Sequence, residues 1–301
     1  MVIENFEQLI DSLKINSEIK TVAVICANDT VTLKAVFYCQ SKGILKPILI
    51  GEKEKMGKYI ADIGESSENI QIIEESDLQK AAEKGVSLVK EGKADFIMKG
   101  KIDTSILLRA VVSKETGLGI GKVMSHLAFL EIPNYHKLIV LTDSGMIIKP
   151  DFEQKKSIIE NVVETLTAIG YDKPKIGLLA AVEKINPKMP ETVDASKLVE
   201  LNRNGTIKGC FIEGPISYDV LMSKESAEKK GYKSEIVGDA DVMVVGDMAT
   251  GNILGKALSY SAEAKMAGII VGAKVPIALT SRGANVEEKI NSLLLAAACC
   301  R

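Results

Sequence analysis

The stretch TVAVICANDTVTLKAVFYCQSKGILKPILIG, Thr21 to Gly51, decides the fold class. TVAVICA is a short apolar run of strand length, and the segment that follows carries a helical pattern stopped by Gly43. KPILIG then resumes as a strand, with Pro47 suited to a strand start or an edge. Strand, helix and strand in this order form the unit from which parallel sheets with crossover helices are built.

The same alternation continues outward. IQIIEE (Ile70–Glu75) precedes a helical stretch from about Asp77 to Glu91 that contains Gly85. FIMKG ends a strand at Lys99 and Gly100, and Asp103 is placed to cap the helix that begins with Thr104. Later strand candidates are HKLIVLTDSG, KIGLLAAV, GCFIEGP, DVMVVGD, AGIIVGA and PIALTS, separated for the most part by helical segments. This many strands predicts two α/β domains. The chain is expected to cross between them near GLGIGKVMS and VGAKVP, giving a first domain of 1–133 plus 273–301 and a second of 134–272.

Composition narrows the class of function. Lys and Arg total 38 against 40 Asp and Glu, and no basic patch is concentrated in the sequence, which speaks against a nucleic-acid partner. There is no Trp and only 4% aromatic residues, too few for a surface built on base stacking. The N-terminus is charged from its fourth residue, and no apolar run reaches the roughly 18 residues of a membrane span. A cytoplasmic protein without a membrane partner is expected. Five cysteines without metal-site spacing argue against a disulfide framework; Cys26, Cys39 and Cys210 read as small buried hydrophobes.

Three stretches carry candidate chemistry. In LTSRGANVEE, Arg282 offers a bidentate fork for an oxyanion, Ser281 a further hydrogen bond, and Gly283 room for close backbone approach. A helix starting near Asn285 would add its first amides, and Glu287 or Glu288 either favours that helix start or serves as an acid–base group. A helix cap beside a surface arginine explains the same run equally well. In VVGDMATGNILGKAL, Asp247 and Asn252 sit at a strand end, with Gly251 permitting a close pass where the helix opens. In IMKGKIDTSILLRAVV, Lys99, Lys101 and Thr104 lie at a strand end and Arg109 on the following helix. The two histidines lack metal-site spacing, no metal site is expected, and neither a Rossmann fingerprint nor a nucleophile elbow occurs. On residues alone, phosphoryl, acyl-phosphate and carboxylate substrates remain open.

The run GDADVMVVGDMATGNILGKALSYSAEAKMAGIIVGAKVPIALTSRG, with FIMKGKIDTSILLRAVV and GCFIEGPISYDVLMSKESAEKKG, resembles the phosphate acetyltransferase and butyryltransferase family over essentially the whole chain. EGPISYD and IIVGAKVPIALTSR favour the butyryl branch. The resemblance implies two three-layer α/β/α domains facing a cleft, similar to isocitrate and isopropylmalate dehydrogenases, in a homodimer or larger homo-oligomer. It implies exchange of a butyryl or other short acyl group between coenzyme A and inorganic phosphate, both as substrates, with no tightly bound cofactor. Carried over, Ser281, Arg282 and Glu288 match catalytic positions. Arg109, Ser125, Asp247, Gly251, Asn252 and Gly283 match binding positions, and Glu288 stands where acetyltransferases place an aspartate. Phosphate acetyltransferase, an NAD-dependent decarboxylating dehydrogenase using Asp239, Asp241 and Asp247, and a non-catalytic acyl-CoA-binding protein are the rival expectations.

Overall fold

The computed structural model describes residues 2–15 and 18–300. The chain opens with α1 (Phe6–Ile15), β1 (Lys20–Ile25), α2 (Thr30–Ser41), β2 (Leu45–Gly51), α3 (Lys53–Asp62) and β3 (Gln71–Glu74). Next come α4 (Leu78–Lys90), β4 (Phe96–Lys99) and α5 (Thr104–Val111). A middle run holds β5 (Ser125–Glu131), β6 (Ile139–Thr142), α6 (Phe152–Ala168), β7 (Lys175–Leu179), α7 (Pro190–Arg203) and β8 (Phe211–Ile216). It continues through the short helices α8 (Tyr218–Met222) and α9 (Lys224–Lys229) to β9 (Val242–Val244) and α10 (Met248–Ser261). The chain closes with β10 (Lys265–Val271), β11 (Ile277–Ala278) and α11 (Val286–Ala298).

The fold is α/β, with mixed sheets and helices, in two compact units. The first holds Phe6–Lys122 with Met266–Arg301, and the second holds Val123–Lys265 with the N-terminal residues through Asn5. These limits differ from the expected 133/134 and 272/273. β5 pairs antiparallel with β6, which carries it into the second unit, and β10 pairs antiparallel with β11, which carries it into the first. SHLAFLE, which forms β5, was not among the expected strands. Its residues are almost all buried, so it shows none of the alternation that marks a half-exposed strand.

In the first unit the strands run in the order β3-β2-β1-β4-β11-β10, all parallel except β10. Apart from the edge strand β3, their apolar runs are buried because helices cover them: α11 packs on α1 and α2, and α4 on α5. Gly85, a weak residue for a helix interior, earns its place in α4 by contact. A Cβ there would come within 2.5 Å of the Ile25 side chain, so only glycine lets α4 lie this close to β1. Pro47 pairs with Val22 of β1 ahead of Ile48, where β3 joins, so the lost donor falls near the strand start.

In the second unit the order is β5-β6-β9-β7-β8, parallel apart from β5. Asp151 starts α6 with a capping box completed by Gln154. α10 begins at Met248, one turn earlier than expected, because Asp247 caps it by accepting from Thr250 N at 2.8 Å. Gly251 and Asn252 therefore lie inside the helix rather than opening it.

Candidate active site

Strands β1, β4 and β11 run parallel and adjacent, so their carboxyl ends share one edge of the first unit's sheet. The chain winds outward through β1, β2 and β3, then returns to add β4 on the other side of β1. That reversal separates the loops after β1 and β4, and ligands of open α/β sheets bind at such points. A cavity of about 480 Å³ lies there. Asp29 and Val31 line it after β1, Lys99 to Asp103 after β4, and Ser281, Arg282 and Ala284 after β11, with Leu78 and Lys289 completing the wall.

Backbone bonds fix the β1 and β4 loops to each other. Gly100 N donates to Ile25 O at 2.9 Å and Lys101 N to Cys26 O at 2.7 Å. A Cβ on Gly100 would sit 2.4 Å from Cys26 O, so no other residue permits this approach. Three helices start beside the cavity. Asp29 caps α2 by accepting from Thr32 N at 2.7 Å, and Asn285 caps α11 by accepting from Glu288 N at 2.8 Å. Asp103 occupies the cap position of α5 but makes no side-chain cap bond. Its carboxylate pairs with Arg282 instead, which joins the β4 loop to the β11 loop.

The cavity wall carries four cationic groups, Lys99, Lys101, Arg282 and Lys289, against the two carboxylates Asp29 and Asp103. Both carboxylates already have partners, so the cavity has positive charge to offer an anion. Two of the lysines are buried. Lys99 Nζ has a 3.4 Å bond to Gly100 O, and Lys289 Nζ donates to Thr280 Oγ1 at 3.1 Å. Burial lowers the pKa of Lys99, Lys289 and Arg282 lower it further, and Asp103 and Asp29 oppose them. Burial likewise lowers Lys289, against the pull of Asp29 and Glu288. Such groups gain from an anion because it restores the charge pairing that the fold withholds.

Of the expected site residues, Ser281 and Arg282 line this cavity and Gly283 adjoins it, with its N–H donating to Ser281 Oγ at 3.2 Å. Arg282 is 80% exposed, at the rim. Glu288 is half-buried and backs the Ser281 loop rather than lining the cavity. Burial raises its pKa, while Lys289 and the Ser281 N–H pull it down. Glu287 is exposed. Arg109 lies exposed in the last turn of α5, where a cation favours the helix dipole, and does not line the cavity.

The other four belong to the second unit. Ser125 is fully buried and its Oγ accepts from Asn161 Nδ2 at 3.0 Å. Asn252 Nδ2 donates to Ser144 O at 3.4 Å, and a Cβ on Gly251 would lie 2.9 Å from Asp143 O. Asp247 is occupied as the cap of α10. These residues surround the loop after β6, which Asp143 organises by accepting from the N–H groups of His126, Gly145, Met146 and Ile147 at 2.9–3.2 Å. His126 Nδ1, on β5, is 2.8 Å from Ser144 Oγ of that loop.

The carboxylates considered for a metal are engaged elsewhere. Asp239 binds Lys175, Lys137 and His136, and Asp241 binds Lys137 at 2.7 Å. Among the described residues no group of three or more His, Cys, Asp or Glu is placed to hold a metal ion. No described helix is long and apolar enough to cross a membrane.

Residues 53–297 match the model of the family described as "Phosphate acetyl/butaryl transferase". The chain belongs to this acyltransferase family. It is 40% identical to the phosphate butyryltransferase of Clostridium acetobutylicum over 98% of both chains. It is 38% identical to the phosphate acetyltransferase of Thermotoga maritima, over 92% of this chain and 94% of that one. Among solved structures, a branched-chain phosphotransacylase from Enterococcus faecalis V583 superposes with a TM-score of 0.84 at 33% identity, covering 94% of this chain and 99% of that one.

Asp29 and Lys289 line the cavity although neither was an expected site residue. Lys289 had a visible signal: it falls three residues after Val286 and four before Leu293, on the apolar stripe of α11, where a charge needs a reason. Asp29 had none beyond its place after the first strand. Lys99 and Lys101 stood out only as strand-end lysines.

Proposed function

We propose that this chain is a phosphate butyryltransferase, moving a butyryl group reversibly between coenzyme A and inorganic phosphate. The observation that carries the proposal is a cationic cavity at the ends of β1, β4 and β11 in a chain that matches an enzyme of that name over 98% of its length. The proposal extends to the absence of a tightly bound cofactor, a homodimer or larger assembly, and action in the cytoplasm. It also extends to two three-layer domains of the isocitrate and isopropylmalate dehydrogenase kind. These further points rest on the sequence resemblance.

In one direction the coenzyme A thiolate attacks the carbonyl carbon of butyryl phosphate. The carbonyl oxygen gains negative charge in the tetrahedral intermediate, and phosphate departs with the bonding pair. In the other direction phosphate attacks the thioester and the thiolate leaves. Every species on this path holds a phosphate beside a developing oxyanion, so fixed cations stabilise the transition state more than the separated substrates. Lys99, Lys101 and Lys289 hold the phosphoryl group, and Arg282, tethered by Asp103, with Ser281 supplies donors at the carbonyl. Arg109, Ser125, Asp247, Gly251, Asn252 and Gly283 are assigned to substrate binding, on the resemblance.

A free thiol of pKa about 8.5 is mostly protonated at neutral pH, so a base or positive field increases the reactive form. Glu288 is proposed as that base; its raised pKa brings it nearer the working pH. The apolar part of the wall, Val31, Leu78, Ile102 and Ala284, is assigned to the acyl chain. One methylene in such a pocket is worth about 1–3 kcal/mol, so neighbouring acyl lengths are expected to react too.

Following thiol release from butyryl-CoA with and without phosphate tests the reaction. Phosphate-dependent release is the expected result, and release without phosphate dependence overturns it. The likeness to the Thermotoga maritima acetyltransferase favours a second reading, acetyl transfer. Higher kcat/KM for acetyl-CoA than for butyryl-CoA and isobutyryl-CoA would decide for it.

A further inference from the structure

Lys99 differs from the other lysines of the cavity. Among the described residues its Nζ has only the 3.4 Å contact with Gly100 O, with Lys289 and Arg282 nearby as like charges. Lys289 is tied to Thr280 and flanked by Asp29 and Glu288, and Lys101 is exposed. Burial and like charge favour the neutral amine at Lys99 against the opposing pull of Asp103 and Asp29, and the fraction of the amine that is neutral is a nucleophile. The chemistry assigned to this cavity places an acyl phosphate, an activated acyl donor, against that amine.

We propose that Lys99 is a self-acylation site, where the acyl phosphate bound in the cavity transfers its acyl group to Nζ and so switches off anion binding. The inference rests on the function proposed above for the identity of the donor. The Nζ lone pair attacks the acyl carbonyl carbon, a C–N bond forms, and the bond from that carbon to the phosphate oxygen breaks. Phosphate leaves with the bonding pair, and the surplus proton on nitrogen passes to the departing phosphate or to water. The product is a neutral amide in place of a cation, buried at the end of β4. Accumulated acyl phosphate would thereby restrain the enzyme that makes it.

The experiment incubates the full chain with synthetic butyryl phosphate, then follows butyryl-lysine at each position by peptide mass spectrometry and residual activity in parallel. Proximity predicts that Lys99 is acylated about tenfold or more ahead of the exposed Lys58 and Lys208. Excess inorganic phosphate should slow the reaction at Lys99 and leave those two unchanged. Lys99→Arg keeps the cation but forms no such amide at neutral pH. Relative to its own untreated activity it should resist butyryl phosphate while the wild-type chain declines. Transferase turnover with Lys99 acylated no faster than Lys58 overturns the inference and leaves the function standing. No turnover with Lys99 acylated first sinks the proposed function and keeps the inference.

Discussion

Replacing Lys99 by methionine should move stability and phosphate affinity in opposite directions. Lys99 is 5% exposed, and its charge is disfavoured first by burial and then by Lys289 and Arg282. The unfolded chain carries no such penalty. Methionine fills a similar space without the charge and so removes a burial penalty; whole buried ion pairs replaced by apolar residues of like volume stabilise by about 1–4 kcal/mol, which bounds the gain from above. Asp29 and Asp103 offset part of the penalty, so the lower part of that range applies, about 1–2 kcal/mol. For units of this size that raises the unfolding midpoint by about 2–8 °C.

Phosphate reverses the order. A ligand held only by the folded state adds about 2.7 kcal/mol at a hundredfold excess over Kd. A lost charge-assisted contact costs about 1.5–3 kcal/mol, or roughly ten- to a hundredfold in Kd. The phosphate-induced rise in midpoint should therefore shrink sharply in Lys99→Met.

Proton linkage gives the same experiment a second axis. The unfolded lysine keeps its proton to near 10.5, whereas the folded one releases it at lower pH. Between those two values the unfolded state binds more protons, so wild-type stability rises with pH through that window. Its deficit against Lys99→Met should close as pH approaches 10.5. Thermal unfolding of both proteins, with and without phosphate, from neutral to alkaline pH, measures all three effects. A lower midpoint for the variant in phosphate-free buffer, with an undiminished response to phosphate, would show that Lys99 is neither strained nor an anion ligand.

Other substitutions separate catalysis from folding. Arg282→Ala should lower kcat/KM about a hundredfold, near 3 kcal/mol, with little change in the unfolding midpoint, because exposed ion pairs contribute about 0–1 kcal/mol. Near-normal turnover would remove Arg282 from the mechanism. Wild-type turnover should fall as pH drops through a Glu288 value raised above 4.5, and Glu288→Gln should lose that acid limb. An unmoved limb with a raised KM would instead make Glu288 the anchor of the Ser281 loop. Lys137→Met should cost about 3–5 kcal/mol in urea unfolding, since it strips a cation from the buried Asp241 and from Asp239. Gly100→Ala should destabilise by about 1–3 kcal/mol through contact with Cys26 O, and a neutral outcome would mean the β1 and β4 loops can part to admit a Cβ.

Much of this protein was legible along the chain because the interactions concerned are local. Apolar runs of strand length, broken by helical patterns, specify an α/β class wherever they occur, and β1 to β4 follow the reading of Thr21–Gly51 and its continuation. Two helix starts were legible for the same reason: the helices read as opening near Asp77 and Asn285 begin where those side chains accept from amides three residues on. The Ser-Arg-Gly turn stood out because those residue types suit an anion wherever the chain puts them.

Tertiary structure decided what depends on neighbours distant in sequence. Asp103 looked like a helix cap, yet its carboxylate went to Arg282, 179 positions away. β5 hid because its apolar run is only LAFL, preceded by Ser125 and His126, polar residues that only the fold buries. Lys289 stands on the apolar stripe of α11 and Lys99 at a strand end, but neither place shows how the charge will fare. Both lose their solvent only when parallel pairing brings the ends of β1, β4 and β11 together and excludes water from their side chains. Residue types fix which charges a chain can offer; the solvent they lose and the partners they find are properties of the folded arrangement alone.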